Sequence, residues 1–298
     1  MTKRKDLEHH RHSLGEIREI MNSMKTLAFL ETRKLTRFLS AQQAVVRSIE
    51  KTAADFLSFH PETLPEMEEV NCIYLLIGTE RGFCGDFNRS LLHHLDSSHP
   101  QGEPLLLAVG HKLHTLMENE TNRAILINGA SVAEEVTSVL DQIVQALFSL
   151  QKQHGIQTLC GLYHGGDGGI IMQKLLPPFQ NYLLQPPYFR QPPVLNLQPK
   201  DFLIKLTEQY LFAALHEILY TSLMAENQNR VAHLEGAVKH LDEKSDKLIR
   251  QCNALRQEEI IEEIEVILLS GSSSDDDWQQ RKSLSPKDSI RTKKPLNI

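Results

Sequence analysis

The amino-acid sequence predicts an α/β protein in which a central domain, built on a mostly parallel sheet, lies between two long helices. Three observations carry this reading. Each end of the chain holds a proline-free run with apolar residues at heptad spacing, the segment between alternates short apolar runs with amphipathic stretches, and Gly, Pro and Asn clusters mark the joins.

The first helix is expected from about residue 13 to 58, where there is no proline and Gly15 is the only glycine; Pro61 and Pro65 end it. Steps of four and three from Ile17 give Ile17, Met21, Met24, Ala28, Glu31, Leu35, Phe38, Gln42, Val45, Ile49, Thr52 and Phe56, nine of twelve apolar. That is the seam of a coiled coil, interrupted at Glu31 and Gln42. The last helix is expected between Asp201 and Leu269, a span with no proline and one glycine, Gly236. Its seam runs Tyr220, Met224, Asn227, Val231, Leu234, Val238, Leu241, Ser245, Leu248, Cys252, Leu255 and Glu259, again nine of twelve apolar.

Between the helices, strands are expected at Cys72 to Thr79, Pro104 to Val109, Arg123 to Ile127 and Gln157 to Tyr163, with helices near Arg89 to Leu95, His111 to Glu118 and Val132 to Gln153. This βαβ alternation calls for a sheet covered on both faces. Gly169 to Leu176 reads as an edge strand. Residues 177–200, with double prolines at 177, 186 and 192, form a stiff connector, and 272–298, opening in SGSSSDDD, reads as a disordered tail. The organisation is therefore 1–60 first helix, 70–176 α/β domain, 177–200 connector, 201–271 last helix and 272–298 tail.

Composition removes several classes of function. Of the 298 residues, 41 % are apolar and 23 % charged, which excludes a wholly disordered chain. A net charge of -6 leaves no basic excess, so no nucleic-acid partner is expected. Cys72, Cys84, Cys160 and Cys252 contain no C-x-x-C pair and fit neither a disulfide framework nor a zinc site; a reducing compartment follows. No run reaches the roughly 20 apolar residues that cross a bilayer, and the basic start MTKRKDLEHHRH lacks the apolar core of a signal peptide, so the chain reads as soluble.

Candidate sites are few. In Thr79 to Asn88, TERGFCGDFN, a strand runs into a glycine turn, but the GK[ST] of a phosphate loop and the GxGxxG of a dinucleotide site are both missing. It reads as a tight turn in which Gly82 and Gly85 let the chain reverse, with Asn88 as a further structural residue of the turn. His164 to Gly169, HGGDGG, offers too few ligands for a metal, as do the exposed His9, His10 and His12. Neither metal nor cofactor is expected. Glu258 to Ile267, EEIIEEIEVI, reads as a solvated helix face rather than an acid–base pair.

Three stretches together resemble the γ subunit of F-type ATP synthases, the central rotor stalk. Ile20, Ser23, Met24, Lys25, Thr26, Leu27 and Ala28, followed by Arg33, Lys34 and Arg37, are similar to the family's opening helix. TERGFCGDFN is very close to its S-D-R-G-L-C-G-G-F-N loop. Ala225, Glu226, Arg230, Val231 and Leu234, then Arg256, Gln257, Ile260, Glu263, Ile264, Ile267, Leu268, Ser270 and Gly271, match its closing helix. Residues 13–271 are covered in order. Asp86 in place of glycine, Val231 and Leu234 in place of methionines, the acidic cluster and the tail mark a divergent member.

The resemblance implies a Rossmann-like α/β domain joined to a long antiparallel coiled coil of the terminal helices, with catalysis in the surrounding subunits and none here. It implies catalytic and non-catalytic ATP synthase subunits, an ε-type subunit and a membrane ring as partners, and a peripheral place on the cytoplasmic face of a bacterial-type inner membrane, reached only through the complex. Met24, Lys25, Arg256, Gln257, Ile260 and Glu263 match the shaft residues that meet those subunits; Glu226 and Arg230 also suit a simple i,i+4 pair on the helix surface. Two other classes remain open: a free-standing coiled-coil adaptor with an α/β spacer, and a small-molecule enzyme using the glycine turn.

Overall fold

The structure, a computed structural model, describes residues 2–64, 72–98, 104–117, 124–154, 158–182 and 191–283. The chain forms two compact units, one of residues 1–18 with 239–298 and the other of 19–238. Helix α1 (Thr2–Phe59) and helix α5 (Pro199–Ser283) contribute to both.

In the unit 19–238 a five-stranded sheet is ordered β3-β2-β1-β4-β5, from β1 (Cys72–Ile77), β2 (Leu105–Val109), β3 (Ala124–Ile127), β4 (Thr158–His164) and β5 (Ile170–Leu176). The first four strands are parallel and β5 closes the edge antiparallel to β4, which is the place expected for it. Alternation along β1 divides its side chains between two cores. Ile73, Leu75 and Ile77 join the α4 (Val136–His154), α1 and α5 side; Tyr74 and Leu76 join α2 (Phe87–Ser98) and α3 (His111–Leu116). A strand buried on both faces reads as a continuous apolar run, which is why CIYLLI is legible.

Along α1, alternate members of the expected seam face inward: Ala28, Leu35 and Phe56 are buried, and Met21, Gln42 and Ile49 are half-buried. Met24 and Glu31 are half-buried too, but three later members shift by one residue. Phe38, Val45 and Thr52 are exposed and Leu39, Val46 and Ala53 are buried in their place, and Ile17 is exposed as well. An α-helix drifts about 20° per heptad against a 3.5-residue repeat, so a long inner stripe slips by one position. The seam of α5 holds without slippage: all twelve residues from Tyr220 to Glu259 are buried or half-buried.

Both interruptions of the first seam have partners. Glu31 accepts the Ala133 N–H at 2.7 Å, at the 3-10 turn leading into α4, and Gln42 Nε2 donates to the Ala213 carbonyl of α5 at 3.0 Å. In this unit α1 and α5 run antiparallel, Gln42 opposite Ala213 and Phe38 stacked on Tyr220 with ring centres 5.7 Å apart. The unit 1–18 with 239–298 repeats that direction. Arg18 pairs with Asp242 and Arg4 with Glu259, and Leu14 and Cys252 are buried.

Two bounds differ from the sequence reading. Helix α1 already includes His9, His10 and His12, exposed but helical. Helix α5 starts on Pro199, whose fixed φ suits a first helical position, and the Phe202 N–H reaches the Gln198 carbonyl at 2.9 Å. It then continues past 271, through the serines and aspartates of the expected tail, to Ser283. Extending a helix already formed adds one hydrogen bond per residue without a new nucleus, and that outweighs poor local propensity. The double proline at 186 and residues 284–298 lie outside the described residues.

Candidate functional site

The opening-helix stretch, the TERGFCGDFN loop and the first part of the closing stretch, Ala225 to Leu234, come together in the unit 19–238, whereas Arg256 to Gly271 belong to the other unit. The turn after β1 is built first by what it lacks: a Cβ on Gly78 would fall 2.6 Å from Leu113 Cβ and 2.7 Å from Asn88 Oδ1. Asn88, at the start of α2, accepts the Thr79 N–H on Oδ1 and donates from Nδ2 to the Thr79 hydroxyl, both at 2.9 Å. The loop's last residue is thereby tied to its first. Gly85 adopts φ +65, a conformation favoured by glycine. Gly82 does not fill the role given to it: its φ is not positive and the space where a Cβ would stand is open. Phe83 takes the second positive φ, +65, and its ring is 43 % exposed.

Glu226 and Arg230 of α5 lie under this loop. They are not a surface pair: the two residues are 3 % and 5 % exposed. The Arg230 guanidinium contacts the Glu226 carboxylate and donates from Nε to the Gly82 carbonyl at 3.1 Å, from Nη1 to Asn227 Oδ1 at 2.8 Å and from Nη2 to Cys84 Sγ at 3.4 Å. Glu226 in turn accepts the Arg81 N–H at 3.3 Å. Burial pushes the Glu226 carboxyl up, against Arg230 and the backbone N–H groups of Arg81 and Glu80, which hold it down. The Cys84 thiol is pushed up to about 12, chiefly by burial and next by the Glu226 charge, so it is protonated at neutral pH.

Beside this pair a cavity of about 200 Å³ opens between Met24, Ala28 and Glu31 of α1, Arg81 of the loop, and Asn227 and Arg230 of α5. Met24, which lines the cavity, and Lys25 beside it in sequence are half-buried. Arg256, Gln257, Ile260 and Glu263 are exposed and belong to the other unit. At about 100° per residue, Arg256, Gln257, Ile260, Ile264 and Ile267 share one helix face with Glu263 at its border. Ile260, Ile264 and Ile267 are 45 %, 51 % and 67 % exposed.

Glu80 escaped the sequence reading. Its Oε2 accepts the Gly129 N–H at 2.7 Å and the His111 N–H at 2.9 Å, spanning the ends of β1, β2 and β3. In open α/β sheets that carboxyl edge is where ligands bind, with an anion on the backbone N–H groups at a helix start. Here the chain's own carboxylate takes those groups. The signal was an acidic residue three positions beyond the first strand. Among the described residues, no group of three or more His, Cys, Asp or Glu side chains is placed to hold a metal ion, and no helix is long and apolar enough to cross a membrane.

A mostly parallel sheet packed on antiparallel terminal helices, with a hydrogen-bonded loop keyed into one of them, defines a stalk-type α/β protein. Residues 3–274 match the family described as ATP synthase, and the chain belongs to that family as a γ chain. The ATP synthase γ chain of Clostridium botulinum strain Langeland is 21 % identical over 266 residues, covering 86 % of this chain and 93 % of the relative. That of Clostridium beijerinckii is 23 % identical over 274 residues, with the same coverage. Among solved structures, the rotor of the Euglena gracilis mitochondrial ATP synthase superposes with a TM-score of 0.58 at 15 % identity, over 87 % of this chain and 99 % of that one. The central stalk of the Tetrahymena thermophila enzyme gives 0.54 at 16 %, over 73 % and 99 %.

Proposed function

We propose that this γ chain is the central rotor of a rotary ATP synthase and carries no catalytic group itself. The ion-driven ring turns it, and its unlike faces hold the surrounding catalytic subunits in different nucleotide states. The observation that carries the reading is the apolar pair Ile260 and Ile264, on one face with Arg256 and Gln257 and exposed on α5. Large exposed aliphatic side chains on one helix face suit a protein partner. Glu80 supports the non-catalytic part in so far as it takes up the His111 and Gly129 backbone N–H groups that an anionic ligand would use there.

On this reading Met24, Lys25, Arg256, Gln257, Ile260 and Glu263 meet the catalytic and non-catalytic subunits. The α/β domain joins the chain to an ε-type subunit and the membrane ring, so association with the membrane, at the cytoplasmic face of a bacterial-type inner membrane, is peripheral. The test is co-expression with the catalytic and non-catalytic subunits, then purification and assay of ATP hydrolysis with and without this chain. One copy in an active hexamer, lost on Ile260→Asp with Ile264→Asp, is the expected result. A folded chain that joins no such hexamer would sink the rotor and leave the coiled-coil adaptor.

A further inference from the structure

Two of the four cysteines, 88 residues apart in sequence, meet in the sheet. Cys72 opens β1 and Cys160 lies on β4; the register pairs Cys72 with Thr158 and Tyr74 with Cys160, so the two stand diagonally across neighbouring parallel strands. Their sulfurs are 3.9 Å apart. Both side chains pack on the same core as Leu76 and Leu162, and both are half-buried, whereas Cys84 and Cys252 are buried. A disulfide is about 2.05 Å long, so about 2 Å of approach separates this pair from a bond. Cys72 is the first residue of its strand: the ladder to β2 begins only at Ile73, and Cys72 is paired on its β4 side alone.

We propose that Cys72 and Cys160 are an oxidisable dithiol, a modification site that takes a low-molecular-weight disulfide of the glutathione class as its oxidant. One cysteine, as thiolate, attacks a sulfur of the small disulfide; that S–S bond breaks and one small thiolate leaves with the electron pair and takes up a proton. The second cysteine, as thiolate, then attacks the protein sulfur of the mixed disulfide. The Cys72–Cys160 bond forms and the second small thiol leaves. Two protein thiols are oxidised and one small disulfide is reduced to two thiols. In a reducing compartment the pair rests as thiols, and the bond forms when the small-molecule pool turns oxidising. It joins β4 to β1, the middle strand of the sheet.

The test uses the full chain under native conditions, exposed to oxidised glutathione, then denatured without reductant, alkylated, digested and mapped by mass spectrometry. Alkylatable thiols should fall from four to two, with the Cys72 and Cys160 peptides recovered as one linked species that reductant separates. Cys72→Ser and Cys160→Ser should each abolish the linked species while leaving a mixed disulfide on the remaining partner. Four thiols still alkylated overturn the proposal. So do glutathione on both cysteines of the parent chain with no linked peptide, links through Cys84 or Cys252, or a link that forms only in denaturant. The main readout is on the unmutated chain and survives any failure of a variant to fold.

Discussion

Asn88 and Thr79 exchange two hydrogen bonds at 2.9 Å, backbone N–H to Oδ1 and Nδ2 to hydroxyl, with both residues buried. The glycine turn is thus closed by a side-chain lock rather than by glycine freedom alone. Replacing Asn88 by Ala strands a buried donor and a buried hydroxyl. The expected loss is about 1–3 kcal/mol, the cost of leaving such groups unsatisfied. In urea the unfolding midpoint should fall while the slope is unchanged. An unmoved midpoint would mean that the lock does not hold the loop.

Glu226 and Arg230 raise the stakes, because a buried pair is weak evidence for stability while a broken one is costly. Arg230→Met leaves the Glu226 carboxylate with only the backbone N–H of Arg81 and Glu80. We expect it to destabilise the chain by about 3–5 kcal/mol. Glu226→Leu with Arg230→Met should cost less than the two single changes summed, since neither variant group then waits for an absent partner. A double-mutant cycle on urea midpoints checks this, and strict additivity would refute the coupling.

Cys84 shows how the same contacts govern reactivity. The thiolate is the nucleophile, and a thiol held near 12 instead of 9.0 carries about a thousandfold less of it at mild pH. Iodoacetamide at about pH 8 should therefore leave Cys84 unmodified in the folded chain and label it in urea. Rapid labelling of the native protein at Cys84, located by peptide mapping, would show that the Arg230 and Glu226 enclosure is open in solution.

Much of the fold was legible because strands buried on both faces and heptad-patterned helices leave strong periodic signals. All five strands fall within a few residues of where they were read, and the α5 seam is complete. The α1 seam went wrong after Leu35 because a strict four-and-three step ignores the drift of a real helix, so Phe38, Val45 and Thr52 were read as inner residues where Leu39, Val46 and Ala53 are. The site was legible in part. TERGFCGDFN and the Glu226–Arg230 pair were marked, but spacing alone cannot tell a helix-surface pair from one roofed over by a loop some 145 residues away in sequence. Glu80 and the Cys72–Cys160 contact depend on which strands are neighbours, and strand order is not written in local pattern.

His164 gives the chain an acid-side weakness. Its ring stacks on Phe87 at 3.7 Å between centres, and Nε2 lies 2.9 Å from the Phe87 carbonyl. Burial holds the imidazole below its ordinary 6.5, outweighing the Phe87 and Gly168 backbone and the Asp86 charge, all of which raise it. The unfolded chain therefore binds a proton more readily than the folded one below pH 6.5, and stability falls as pH drops from there towards the folded value. Above the ordinary value both states are neutral and the contribution is constant. His216, also lowered chiefly by burial, acts in the same direction. Urea unfolding between about pH 5 and pH 7.5 should show stability declining on the acid side, and His164→Phe should make that decline shallower. An acid-side slope unchanged in the variant, or an NMR titration of the ring at or above 6.5, would show that the imidazole is not held neutral by its burial.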